Sequence, residues 1–168
     1  MADDRVMPGP AAVEPVRKER YLPLSIEAAF ASFTAGLTEW WPLDRHALAG
    51  EEAAAIRLEA AVGGRLWEST TDGTEHTWAD VIAWEPPNRV LLSWHPTAGL
   101  EGATTLEVRF ESAGPGCWLQ LEHRDWDALD AGLGTGLGAA MRAGYDPGWD
   151  AVLARFAAYV DGSGKMHP

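Results

Sequence analysis

The chain has 168 residues, with 25 acidic against 13 basic side chains and a net charge of −12. That length suits one domain whose folding removes roughly two-thirds of the unfolded chain's surface from water. The acidity argues against nucleic acid or an anionic membrane as a partner, because both are bound through net cationic contacts. The lone cysteine, Cys117, excludes an internal disulfide and a cysteine-based zinc site.

Residues 1–15 carry three prolines and little pattern, and are expected to form a flexible arm. They lack the apolar stretch of a signal peptide, and no run in the chain approaches the ~18 apolar residues of a membrane span, so a cytoplasmic location is expected. The alternation in 16–24 predicts a first strand, with Pro23 near its exit. Ser25 is placed to cap a helix over 26–33, whose Ile26, Ala29, Phe30 and Phe33 recur at helical spacing. Gly36 breaks it, and a second short helix over 37–41 stops at Pro42.

Strands are then predicted over 55–60, 64–70, 75–84, 89–95, 103–111 and 116–123. Asp72-Gly73 is a strong hairpin signal, and Glu85-Pro86-Pro87-Asn88 must turn. Strict alternation puts Trp78, Asp80, Ile82 and Trp84 on one face of their strand. It groups Val90, Leu92 and Trp94, then Leu106, Val108 and Phe110, then Cys117, Leu119, Leu121 and His123, with Trp118 facing outward. Glycines punctuate 124–144, which reads as a frayed helix or loop. Asp146-Pro147 has the form of an N-cap followed by proline at the first helical position, and predicts a final helix over 147–160 with Trp149, Val152, Leu153, Phe156 and Val160 as its apolar stripe. Residues 162–168 form a tail. The expected fold is α+β: a curved antiparallel sheet of six to seven strands around a long C-terminal helix, with two short helices after the first strand. Residues 16–161 make the single domain.

These motifs, in this order, resemble the START-like, helix-grip superfamily (SRPBCC), and within it the homologues of the activator of the heat-shock chaperone ATPase. Tyr21-Leu22-Pro23 leads into Ser25-Ile26-Glu27-Ala28-Ala29-Phe30, and Leu37 precedes Trp40-Trp41-Pro42. Val62-Gly63-Gly64-Arg65-Leu66-Trp67 opens a hairpin. Trp84-Glu85-Pro86-Pro87-Asn88-Arg89-Val90 joins two strands, and Tyr145 with Gly148-Trp149 opens the last helix. The resemblance spans about 16–160. Its fold-mates include lipid carriers, polyketide cyclases and chaperone regulators, so it implies the fold more narrowly than the function.

Nine tryptophans against four phenylalanines and three tyrosines fit either a bulky core or an aromatic-lined cavity between sheet and helix, and the resemblance implies the cavity. With the resemblance, the expected lining is Trp40, Trp41, Trp67, Trp78, Trp94, His123, Tyr145, Trp149 and Phe156. The leading expectation is a small hydrophobic or aromatic ligand held there. The alternatives are a co-chaperone-like regulator docking through its acidic surface, and a cyclase or hydrolase acting on a polyketide-like substrate with His123 or a buried carboxylate as base. Glu68 and Asp80 both fall on apolar faces, where a carboxylate must be paired or protonated. No catalytic set stands out, since a GxSxG elbow is missing and Cys117 reads as inert core. The five histidines show no ligand spacing, so neither metal nor cofactor is expected. Gly132-Leu133-Gly134-Thr135-Gly136 lacks the βαβ context of a nucleotide loop and reads as a loop or a lid. A monomer or homodimer is expected, with a chaperone or client protein as a possible macromolecular partner.

Overall fold

A computed structural model of the protein describes residues 13–42, 52–96, 102–130 and 136–161. The strands are β1 (Val16–Leu22), β2 (Ala53–Leu58), β3 (Arg65–Thr70), β4 (Glu75–Glu85), β5 (Arg89–Trp94), β6 (Thr104–Ala113) and β7 (Gly116–Arg124). Helices α1 (Ile26–Thr34) and α2 (Leu37–Trp40) follow β1, and α3 (Leu137–Val160) closes the fold after a 3-10 turn at Trp126–Leu129. All seven strands join one sheet in the order β1-β7-β6-β5-β4-β3-β2. Every neighbouring pair is antiparallel, so the run from β2 to β7 is a meander and β1 returns to pair with β7. The sheet curls around α3, the helix-grip α+β architecture.

Local chemistry accounts for much of this. The Ser25 hydroxyl accepts the Ala28 amide at 3.2 Å and caps α1. The helix then buries Ile26, Ala29, Phe30 and Phe33 against the sheet. Gly73, at φ 90°, makes the β3–β4 turn that few other residues tolerate. Strands β5, β6 and β7 alternate as their sequences predict, so Val90, Leu92, Leu106, Val108, Phe110, Leu119 and Leu121 line the concave face beneath Trp149, Val152, Leu153 and Phe156 of α3. Cys117 is buried among them, and burial raises its thiol pKa.

Two expectations are corrected. First, β4 does not alternate throughout. Its register with β3 shifts between Leu66 and Trp67, and its register with β5 shifts between Val81 and Ala83. Each bulge reverses the parity. Trp78 and Ala79 are both buried, Asp80 and Ile82 turn to solvent, and Trp84 returns inward to meet Phe30 edge-on at 5.2 Å. Second, α3 begins at Leu137 and carries Pro147 within it. Asp146 is no N-cap; its carboxylate is drawn across to the Lys18 ammonium on β1 at 2.5 Å. At the boundary of the expected arm, Arg142 on α3 donates to the carbonyls of Glu14 and Pro15 at 2.7 and 3.1 Å. Residues 1–12 of that arm, the glycine run at 131–135 and the tail at 162–168 lie outside the described residues. Among those described, no helix is long and apolar enough to cross a membrane.

Candidate ligand-binding site

The concave face and α3 meet through a continuous chain of rings. Trp40 contacts Phe156 at 4.8 Å and Trp41 at 5.7 Å; Trp41 contacts Trp78 at 5.3 Å; Trp78 contacts Trp94 at 5.9 Å; Trp94 contacts Trp149 at 5.7 Å. His123 lies among Trp94, Trp126, Tyr145 and Trp149, closest to Trp126 at 4.1 Å. Six of the nine expected lining residues (Trp41, Trp78, Trp94, His123, Tyr145 and Trp149) therefore form one cluster. Trp40 and Phe156 continue it into the far end of the core beside Phe33.

Trp67 does not join them. It sits on the opposite face of β3 from the buried Leu66 and Glu68, with the Arg65 guanidinium 4.4 Å from its ring centre. Alternation along β3 already separates it from Leu66.

The rings fill most of the gap between sheet and helix. Among the described residues a cleft of about 20 Å³ opens where the end of β5 and the start of β6 face the 3-10 turn and the first turns of α3. Its walls are Trp94, His95, Pro96, Gly102, Thr104, Trp126, Leu129, Met141 and Tyr145. Of the predicted set only Trp94 and Tyr145 reach it; His123 stands one layer behind. The sequence reading missed Thr104, although parity with Leu106 places it inside. It missed Trp126, Leu129 and Met141 because they fall in the glycine-punctuated stretch that shows no period. A larger hollow, about 420 Å³, lies on the convex face between β1, β7 and β6. Its carboxylates and guanidinium groups are engaged with one another, as at Arg17 and Glu122, 2.9 Å apart.

Hydrogen bonds order the polar atoms of the aromatic cluster. The Trp149 indole donates to Nδ1 of His123 at 3.0 Å, and Nε2 of the same ring meets the Thr104 hydroxyl at 2.7 Å. The Trp126 indole donates to the His123 carbonyl at 2.9 Å, and the Trp94 indole donates to the Tyr145 hydroxyl at 2.9 Å. The Trp78 indole donates to the buried Glu68 carboxylate at 2.8 Å. Desolvation pushes the His123 pKa down to about 3, so the ring is neutral. Burial raises the Tyr145 pKa against the opposing pull of the Trp94 hydrogen bond, so the phenol keeps its proton. His123 is therefore badly placed as a general base, since its one lone pair is occupied. Asp80, the other acid on an apolar-looking face, bonds His95 at 2.8 Å near the rim. Among the described residues no group of three or more His, Cys, Asp or Glu is placed to hold a metal ion.

A helix gripped by a curled meander, with an aromatic cleft at one end, defines the START-like class. The family model of the activator of Hsp90 ATPase homolog 1-like proteins matches residues 23–161, and the chain belongs to that family. No curated protein sequence matches significantly. Among solved structures, an anthrahydroquino-γ-pyrone synthase, determined as a complex, is 32% identical with a TM-score of 0.57, covering 89% of this chain and 98% of its own. A protein from Mesorhizobium loti is 18% identical with a TM-score of 0.63, covering 92% of this chain and 100% of its own. The Aha1 dimer from Colwellia psychrerythraea is 14% identical with a TM-score of 0.61, covering 88% and 96%. The last two share the fold.

Proposed function

We propose that this protein binds a polycyclic aromatic molecule of the polyketide type in the cleft at Trp94, Trp126 and Tyr145, and closes a ring on it. The observation that carries this reading is the wall itself: flat indole and phenol faces, with the Thr104 and Tyr145 hydroxyls among the polar groups set into them, beside the neutral imidazole of His123. Such a wall matches a planar, polarisable guest with a few oxygens. The 32% identity to an anthrahydroquino-γ-pyrone synthase over nearly the whole of both chains supports the same class of ligand. Admission of a tricyclic guest requires the Met141 and Leu129 side chains to give way, since the cleft as it stands holds about 20 Å³. The setting that goes with this reading is cytoplasmic.

The test is a titration of the tryptophan fluorescence with 9,10-anthraquinone-2-sulfonate. Saturable quenching is expected in the parent protein. Met141→Trp, which fills the cleft from its α3 side, should weaken it at least tenfold. Linear, non-saturating quenching, or quenching indifferent to Met141→Trp, overturns the reading. Turnover is tested with an ortho-hydroxyaryl 1,3-diketone, whose phenolic oxygen adds to the far carbonyl and loses water to give a γ-pyrone. A second reading, stimulation of a heat-shock chaperone ATPase, is supported by the family's description and by the −12 charge as a docking surface for a basic partner. It predicts a stimulation that falls steeply with salt.

A further inference from the structure

The hydrogen bonds around the cleft have a direction, and the direction says what the cleft offers its guest. An indole N–H only donates. Trp149 therefore makes Nδ1 of His123 an acceptor, the ring's single proton resides on Nε2, and Nε2 donates to Thr104 at 2.7 Å. The Thr104 oxygen is thus an acceptor within the protein, and its own proton must point elsewhere. The only acceptor near it among the described residues is the Trp94 carbonyl at 3.4 Å, beyond the range of a good O–H···O bond. Tyr145 is in the same position. Its oxygen accepts from the Trp94 indole at 2.9 Å, and among the described residues its proton has no acceptor.

Both hydroxyls line the same cleft, whose volume of about 20 Å³ is that of one oxygen-sized occupant. Thr104 is only 2% exposed, so bulk water does not satisfy it. We infer that Thr104 and Tyr145 form a two-donor site for a single oxygen of the bound aromatic: a quinone or ketone carbonyl, and the enolate or phenolate oxygen that it becomes as negative charge develops there. The His123 Nε2–H feeds the Thr104 oxygen and the Trp94 indole N–H feeds the Tyr145 oxygen, so each hydroxyl has one lone pair engaged and its proton free to turn to the guest. The carbonyl of a polyketide-derived ring, which accepts two hydrogen bonds, fits such a pair of donors. His123 and Trp149 are positioning residues, holding the Thr104 hydroxyl in its donor sense through a neutral ring.

This inference rests on the reading of the cleft as an aromatic site, and the experiment separates the two. Two probes share a tricyclic shape and a sulfonate and differ in their carbonyls: 9,10-anthraquinone-2-sulfonate and anthracene-2-sulfonate. The parent protein should bind the quinone about tenfold more tightly, the effect of one to two satisfied buried donors. Tyr145→Phe and Thr104→Val should each bring that ratio towards one while anthracene-2-sulfonate still binds, and Thr104→Ser should keep it. If both probes bind the parent equally, or if the preference survives in Tyr145→Phe, the two-donor site is wrong and the aromatic cleft stands. If neither probe binds saturably, the cleft reading fails and the donor site with it. Should Thr104→Val fold poorly because the His123 N–H loses its acceptor, Tyr145→Phe and Thr104→Ser still decide.

Discussion

The two faces of the same strands use buried polarity in opposite ways. On the concave face, His123 is fully buried and neutral, and ring N–H and hydroxyl groups satisfy it. One register position away on the other face, Glu107 is also buried, yet fully charged. Three guanidiniums converge on its carboxylate: Arg89 at 2.5 Å, Arg124 at 2.9 Å and Arg109 at 3.0 Å. Burial raises the Glu107 pKa, but these partners outweigh it and bring it down to about 2. The lesson is that burial alone does not set the charge state; the partners do. The interior has only dipoles to offer and keeps its histidine neutral. The convex face supplies three cations and keeps its carboxylate ionised.

The comparison breaks most sharply at His123. His123→Ala removes a ring packed on four aromatic neighbours and orphans the Trp149 N–H. A loss of about 3–4 kcal/mol is expected, seen as a large drop in the urea midpoint. An unchanged midpoint would mean that the ring is replaceable by water and the interior is wetter than described. Glu107→Ala should lose about 2 kcal/mol, because it leaves guanidiniums facing one another without their shared acceptor. Raising the salt should recover part of that loss, whereas the His123→Ala loss should be salt-insensitive.

A pH series sharpens the contrast further. The folded-state pKa of His123 lies below its ordinary 6.5, so the unfolded chain takes up a proton that the folded one refuses. Stability from this group is present above pH 6.5 and declines on acidification towards pH 3. Glu107 is likewise depressed, from 4.5 to about 2, so its contribution is intact above pH 4.5 and is lost below it. Lowering the pH from 6.5 to 5.5 should therefore cost about 1 kcal/mol through His123 and almost nothing through Glu107. His123→Gln should flatten that slope, and Glu107→Gln should leave it in place. The smallest expected effect is that of Arg109→Ala. Its side chain is 57% exposed, and Arg89 and Arg124 remain. Thermal denaturation should show a change of at most about 0.5 kcal/mol.

The parts of this architecture that follow from short-range pattern were legible before any coordinates. The α1 face with its Ser25 cap, the Asp72-Gly73 turn and the inward parity of Leu119, Leu121 and His123 are all settled within a turn or a few alternating residues. The β4 faces were not, because a bulge needs no special residue at Trp78 or Ile82; the extra residue is visible only when the neighbouring strand is laid beside it. The start of α3 was misplaced for a related reason. Asp146-Pro147 is a sound local helix entry, but Lys18, far away in sequence, draws the Asp146 carboxylate off, and the helix continues back to Leu137.

The candidate site divides along the same line. Strand and helix period alone bring Trp94, His123 and Trp149 to one interior, since that period determines which way each side chain faces. How full that interior is, and which hydroxyls it turns into donors, only the tertiary structure decides. Volume depends on how Trp126 and Met141 meet the sheet across the fold. The proton on His123 depends on Trp149, 26 residues further along the chain, arriving beside Nδ1.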